Sequence, residues 1–174
     1  MKVQLCIGVV LIGLMTAPAF GAGNMPAPEL AIPPTLAPPK PAKLAVKLIG
    51  AGVQIYACVA KAAGQRNEWA EKGPEGQISD FGANFAGNLR PGPTWEAKDG
   101  SKLTGKMLIQ IPAMRTNALP WVLYGTHSSG RGVFAGVRFV QRLDTVQGLA
   151  PAGACDHPGE EYRSQFAAIY YFYK

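Results

Sequence analysis

From residue 44 to the end, the chain is written in short runs of period two, cut at intervals by Gly, Pro, Asn and Asp. Alternation at that period puts successive side chains on opposite faces of a strand, and the cutting residues are turn formers. Val53, Ile55, Ala57 and Val59 alternate with Gln54, Tyr56 and Cys58. Trp69 centres a second short run, ending at a Gly73-Pro74 break. Thr94 to Lys98 meets Ser101 to Ile111 across Asp99-Gly100, a dipeptide suited to a type I′ turn because both central residues of that turn need positive φ. Pro120 to His127 and Val133 to Arg142 flank Ser128-Ser129-Gly130-Arg131-Gly132, which reads as a hairpin with a glycine loop. Gln165 to Tyr173 reads as a closing strand. No sustained helical period follows the first residues, and no internal repeat is visible. Seven to nine strands at this spacing predict an all-β fold, an antiparallel sandwich or barrel.

The first two dozen residues obey different rules. Lys2 is followed by an apolar or small run from Leu5 to Met15, then by Pro18 and the small residues Ala19 and Gly21. The run is too short to span a bilayer and reads as an export signal, with cleavage before Ala22; cleavage after Ala19 is the alternative. Residues 1–21 are therefore assigned to a signal peptide, which carries Cys6 away with it. The mature protein is expected in the periplasm or outside the cell, without stable membrane insertion.

Removing the signal leaves about 150 residues, the usual size of one domain. The formal net charge of +6 falls to +5 without Lys2, and the basic residues are scattered singly. A nucleic-acid partner normally requires a basic stripe or cluster, so none is expected. Cys58 and Cys155 remain as the only thiols. In an oxidising compartment the simplest outcome is one disulfide between them. A redox or metal pair is the rival reading, but neither cysteine sits in a Cys-x-x-Cys motif.

Residues 22–43 form a proline-rich arm, with prolines at 26, 28, 33, 34, 38, 39 and 41. Proline at this density removes amide donors and favours extended chain outside a core. It reads as a solvated leader, with a strap across the domain as the alternative. Residues 44–174 are read as a single β domain.

Residues able to carry chemistry are few. His127 stands where a strand enters the glycine loop; His157 follows Cys155-Asp156 in a proline-bearing loop. Neither has companions at metal-ligand spacing, so no metal and no cofactor is expected. Gly-x-Ser-x-Gly is absent. Asp99 is needed by its turn, and Asp80 and Asp144 lie at strand or loop edges, where Asp ordinarily makes turns. If Trp95 and Ala97 face the core, Glu96 and Lys98 face outward. Arg138 and Arg142 share parity, as a solvated face or as an anion-binding pair. Trp69, Trp95 and Trp121 could line a ligand pocket, although such residues are more often core. The last strand is apolar on both faces, with Phe166, Tyr170 and Phe172 on one and Ile169, Tyr171 and Tyr173 on the other. It is either central between two layers or borders a cavity or partner.

Several segments together resemble a known family. These are Gly52 to Cys58, Gly92-Pro93-Thr94-Trp95-Glu96 running into Asp99-Gly100-Ser101-Lys102, Leu119 to Leu123, Gly130 to Phe134, Val140-Gln141-Arg142 with Thr145, Ala150-Pro151 with Cys155-Asp156, and the final Tyr170 to Tyr173. In this order, over about residues 44 to 174, the chain is similar to the secreted bacterial and fungal proteins of domain-of-unknown-function family 3455. The resemblance implies an exported, largely β-stranded domain with both cysteines at family positions, and it implies no activity. Family members often carry a histidine shortly before Gly-Pro-Thr-Trp; this chain has Gly87-Asn88-Leu89-Arg90-Pro91 there.

The reading that follows is an exported β-domain that binds a small apolar or saccharide ligand, or an envelope partner, without catalysis. Its candidate binding residues are Trp69, Trp95, Trp121, Tyr170, Arg138 and Arg142. Two alternatives stand beside it. One is a hydrolase-type enzyme gathering His127, Asp80, Glu96 and Arg138; the other is a structural envelope protein.

Overall fold

A computed structural model describes residues 31–174. The expected signal peptide, Cys6 and residues 22–30 of the arm lie outside the described residues. Eight antiparallel strands follow in order: β1 (Leu44–Val59), β2 (Glu68–Ser79), β3 (Phe85–Arg90), β4 (Thr94–Ala97), β5 (Lys102–Ile111), β6 (Trp121–Ser129), β7 (Phe139–Gln147) and β8 (Glu161–Tyr173). Each pairs with the next, and β8 pairs with β1, so the sheet closes into an up-and-down barrel. Closure removes the two long edges that an open sheet would expose to other chains. Among the described residues no helix is long and apolar enough to cross a membrane.

Parity decides what fills the barrel. Phe166, Ala168, Tyr170 and Phe172 of β8 point inward, where they join Leu48, Leu89, Trp95, Leu103, Val122, Tyr124 and Val140. Trp95 sits at the centre, edge-on to Tyr124, Tyr170 and Phe172 at centroid distances of 5.4, 5.9 and 6.2 Å. Gly50 makes room for this cluster, since a Cβ there would stand 2.4 Å from the Tyr170 ring.

The opposite face of the last strand explains its double apolarity. Tyr171 and Tyr173 pack outside the barrel with Trp121, Leu123 and Leu143, and Leu36 from the arm covers them. Leu36 ends a single 3-10 turn, Pro34–Leu36, and is wholly buried. Gln141 Nε2 donates to the Leu36 carbonyl at 2.6 Å, and Tyr173 Oη donates to Gln141 Oε1 at 2.7 Å. Residues 31–43 are therefore a strap laid across the outer wall. The solvated-leader expectation fails here, because one leucine supplies apolar contact that the proline composition hides.

The two cysteines form the expected disulfide, Cys58–Cys155, which ties the end of β1 to the β7–β8 loop across 97 residues. Two turn expectations need correction. The β4–β5 connection is a three-residue loop: Ala97 N donates to Ser101 O at 2.9 Å and Gly100 N to Ala97 O at 3.0 Å. Gly100 has φ 84° while Asp99 keeps an ordinary φ, so this is a type I turn followed by a left-handed glycine and not a type I′ turn. Asp99 Oδ1 holds that shape by accepting from Ser101 N at 2.9 Å and Ser101 Oγ at 2.6 Å. At Gly73-Pro74 the strand does not break. β2 runs through it: Gly73 and Pro74 stay in register with Ile55 and Gln54, and on its other side β2 has no strand partner before Gly76, an edge where proline is tolerated.

Candidate functional site

The barrel wall is complete at one end and notched at the other. β3 and β4 form a hairpin too short to reach the far rim. β2 meets β3 only from Gly76 to Ser79, and β5 meets β4 only from Lys102 to Thr104, extended by Gly105 N donating to Pro93 O at 2.8 Å. Below the Pro91–Pro93 turn, the first half of β2 and the second half of β5 face each other with no strand between them. A cavity of about 270 Å³ occupies this notch, lined by Glu71, Lys72, Gly73, Pro93, Met107, Gln110, Pro120, Tyr124 and Arg142.

Arg142 is the unusual member. Its place on β7, opposite Val122 of β6 and Tyr170 of β8, turns it into the barrel, and only 4% of its surface is exposed. Nη2 donates to the Pro120 carbonyl at 3.2 Å. Among the described residues no carboxylate comes within ion-pairing distance of it. Its Nε–H is buried without an acceptor, and Gln54 Oε1 is buried without a donor. Each such group costs about 1–3 kcal/mol, more when charged. Burial opposes the charge of Arg142, but Tyr124, Tyr170, Glu71 and Tyr56 outweigh it and hold its pKa above its ordinary value. The guanidinium is therefore a fixed cation at the bottom of a cavity.

The groups around it are hydrogen-bonding, not basic. Burial, with Glu71 adding to it, pushes Tyr56 up to about 12. Its hydroxyl donates to the Gly148 carbonyl at 2.8 Å. Burial likewise raises Tyr124 and Tyr170 against the pull of Arg142. These phenols stay protonated at neutral pH and cannot abstract a proton; Tyr124, the one of them on the cavity lining, can donate to a guest. Glu71, whose Oε1 accepts from Gln54 Nε2 at 2.9 Å, is the one carboxylate in the lining.

The residues singled out from the sequence scatter around this centre. Trp95 and Tyr170 are inside the barrel, whereas Trp121 is outside it beneath Leu36. Trp69 stands opposite Cys58 at the start of β2, away from the Trp95 cluster, and packs against Tyr162 with centroids 5.9 Å apart. The three tryptophans therefore line no common pocket. Arg138 and Arg142 do not act as a pair either. Arg138 precedes β7 and is exposed, while Arg142 faces inward, so the solvated-face reading fails for Arg142.

The residues of the hydrolase reading also fall in different places. His127 and Arg138 border a shallow outer groove with Leu108 and Phe139. Asp80 closes the β2–β3 turn by accepting from Gly82 N, Asn84 N and Asn84 Nδ2, and its hydrogen bonds to Asn84 hold its carboxyl below the usual range. Glu96 points outward to Lys102 Nζ at 2.9 Å and Arg90 Nε at 3.4 Å, with the Lys102 hydrogen bond chiefly lowering its pKa. His157 is exposed, and Asp144 sits in a β7 irregularity with φ 45°. Among the described residues no group of three or more His, Cys, Asp or Glu could hold a metal ion.

Sequence reasoning missed Gln54, Tyr56, Glu71 and Tyr124. The available signal was Gly50-x-Gly52-x-Gln54, a small and polar phase opposite the apolar residues of β1. Comparison with curated proteins and with solved structures finds no match. The family model described as "Protein of unknown function (DUF3455)" matches residues 76–174, which include the β3–β4 hairpin, Tyr124 and Arg142. The chain belongs to this domain-of-unknown-function family.

Proposed function

We propose that this chain is an exported β-barrel that binds a small molecule in the notch above Arg142, without catalysing its conversion. One observation carries the reading: a buried cation with an unmet donor stands at the floor of a cavity cut into the barrel wall. Small-ligand sites are concave, with a few placed polar groups among apolar ones, and the mouths of barrels are a common place for them. Larger hollows exist, such as a trough of about 700 Å³ bordered by Asn117, Gln147, Tyr162 and Arg163. Its wall residues are mostly exposed and it holds no buried charge, so it lacks the fixed polar group that would orient a guest. Export is supported by the leader composition and the disulfide. The outer wall carries ion pairs such as Arg163–Glu75 at 2.7 Å, as suits a surface in water.

Native mass spectrometry of the protein purified without refolding from the exported fraction tests the reading. The expected spectrum shows a retained small mass that Met107→Trp, which fills the cavity, abolishes. A bare wild-type chain whose stability also responds to no member of a small-molecule library contradicts it.

A further inference from the structure

The class of ligand can be read from the charge and shape of the notch, and this step rests on the notch being a small-molecule site. Arg142 has no counter-carboxylate within ion-pairing distance among the described residues, and a buried cation left so favours an anionic guest. Tyr124, kept protonated by burial, offers a second donor on the same lining. Glu71 limits how negative the guest can be. It stands on the cavity wall, and its field is felt at Arg142, Tyr124 and Tyr170. Sites for phosphate dianions gather several cations or a row of backbone amides. Here one buried cation shares the lining with one exposed carboxylate, Glu71, and one exposed ammonium, Lys72, which leaves a single net positive charge.

A single negative charge fits that balance, and a planar carboxylate matches the edge of a guanidinium. Apart from Gln110 the remaining side chains of the wall are apolar, with Pro93, Met107 and Pro120 around the charged floor. At about 270 Å³ the cavity suits one ring or a short chain, below the size of most drug-like ligands. We propose that the notch takes a small monocarboxylate with an apolar body, its carboxylate on Arg142 and its body against Met107 and the two prolines.

Isothermal titration with benzoate, benzamide and phenyl phosphate as probes separates the possibilities. Benzoate is expected to bind at least roughly tenfold more tightly than either of the others. Arg142→Met is expected to erase the preference for benzoate over benzamide. Tyr124→Phe should weaken benzoate more than benzamide, because a hydrogen bond to a charged acceptor is the stronger one, and Glu71→Gln should narrow the gap between benzoate and phenyl phosphate. The last two substitutions keep the test open if Arg142→Met does not fold. Benzamide binding as tightly as benzoate overturns the carboxylate assignment and leaves the small-molecule site standing. Phenyl phosphate binding more tightly overturns the single-charge assignment. Failure of all three probes overturns the inference, and the native mass spectrum then decides the broader reading: a retained mass preserves it, and a bare, unresponsive chain removes it too.

Discussion

Arg142 and Glu71 line the same cavity and the charge of Glu71 is felt at Arg142, yet they form no ion pair. Breaking a buried pair costs several kcal/mol, but a buried charge with no close partner has little to lose and much desolvation to regain. Arg142→Met is accordingly predicted to leave stability within about 1 kcal/mol of wild type, or to raise it. Urea unfolding measures this. A loss of about 3 kcal/mol or more would make Arg142 a structural residue and not a binding one.

The strap depends on Leu36. Its wholly buried side chain covers Trp121, Leu143 and Tyr171, so Leu36→Ala is predicted to destabilise the barrel by about 2–5 kcal/mol. Gln141→Leu should separate the apolar part of this contact from the hydrogen bond to the Leu36 carbonyl. A midpoint unchanged by Leu36→Ala would mean that the strap adds no stability.

Cys58 and Cys155 join positions 97 residues apart. Loop-closure entropy at that length predicts that replacing both by serine costs about 4–5 kcal/mol. Comparing denaturant midpoints of the double variant and the oxidised protein checks the figure. Equal midpoints would contradict it.

Alkaline titration reports on the barrel interior. In the folded state Tyr56 is pushed up to about 12, and Tyr124, Tyr170 and Tyr173 are also raised from 10.0, all chiefly by burial. Folding holds these protons more tightly than the unfolded chain does. The stability they contribute is thus present below the unfolded value of about 10 and lost as pH rises toward 12. Tyrosinate absorbance should therefore fall short of six residues near pH 10.5 and complete only as the barrel unfolds. Full ionisation of a still-folded barrel in that range would show that water reaches the interior.

Strand grammar made most of this barrel legible, because period two survives wherever one face is buried. It failed at β3, where Gly87-Asn88 interrupts the apolar phase of Phe85–Arg90, and a hairpin that short leaves no long pattern to read. That same shortness opens the notch, so the site hides where the signal is weakest. Arg142 was misplaced because parity links it to Arg138, although the strand starts only at Phe139. Leu36 was hidden by its surroundings, since one apolar residue among prolines looks solvated until a partner surface is known. Trp69, Trp95 and Trp121 looked alike in sequence and went to three different environments, because facing and neighbouring strands are set by register and not by residue type.

The most direct test of the notch is an amide chemical-shift map of the folded protein titrated with benzoate. The account predicts shifts concentrated at Lys72, Gly73, Met107, Tyr124 and Arg142, and absent from them in Arg142→Met. Shifts centred instead on the His127–Arg138 groove or on the trough beside Tyr162, or no shifts anywhere, would contradict it.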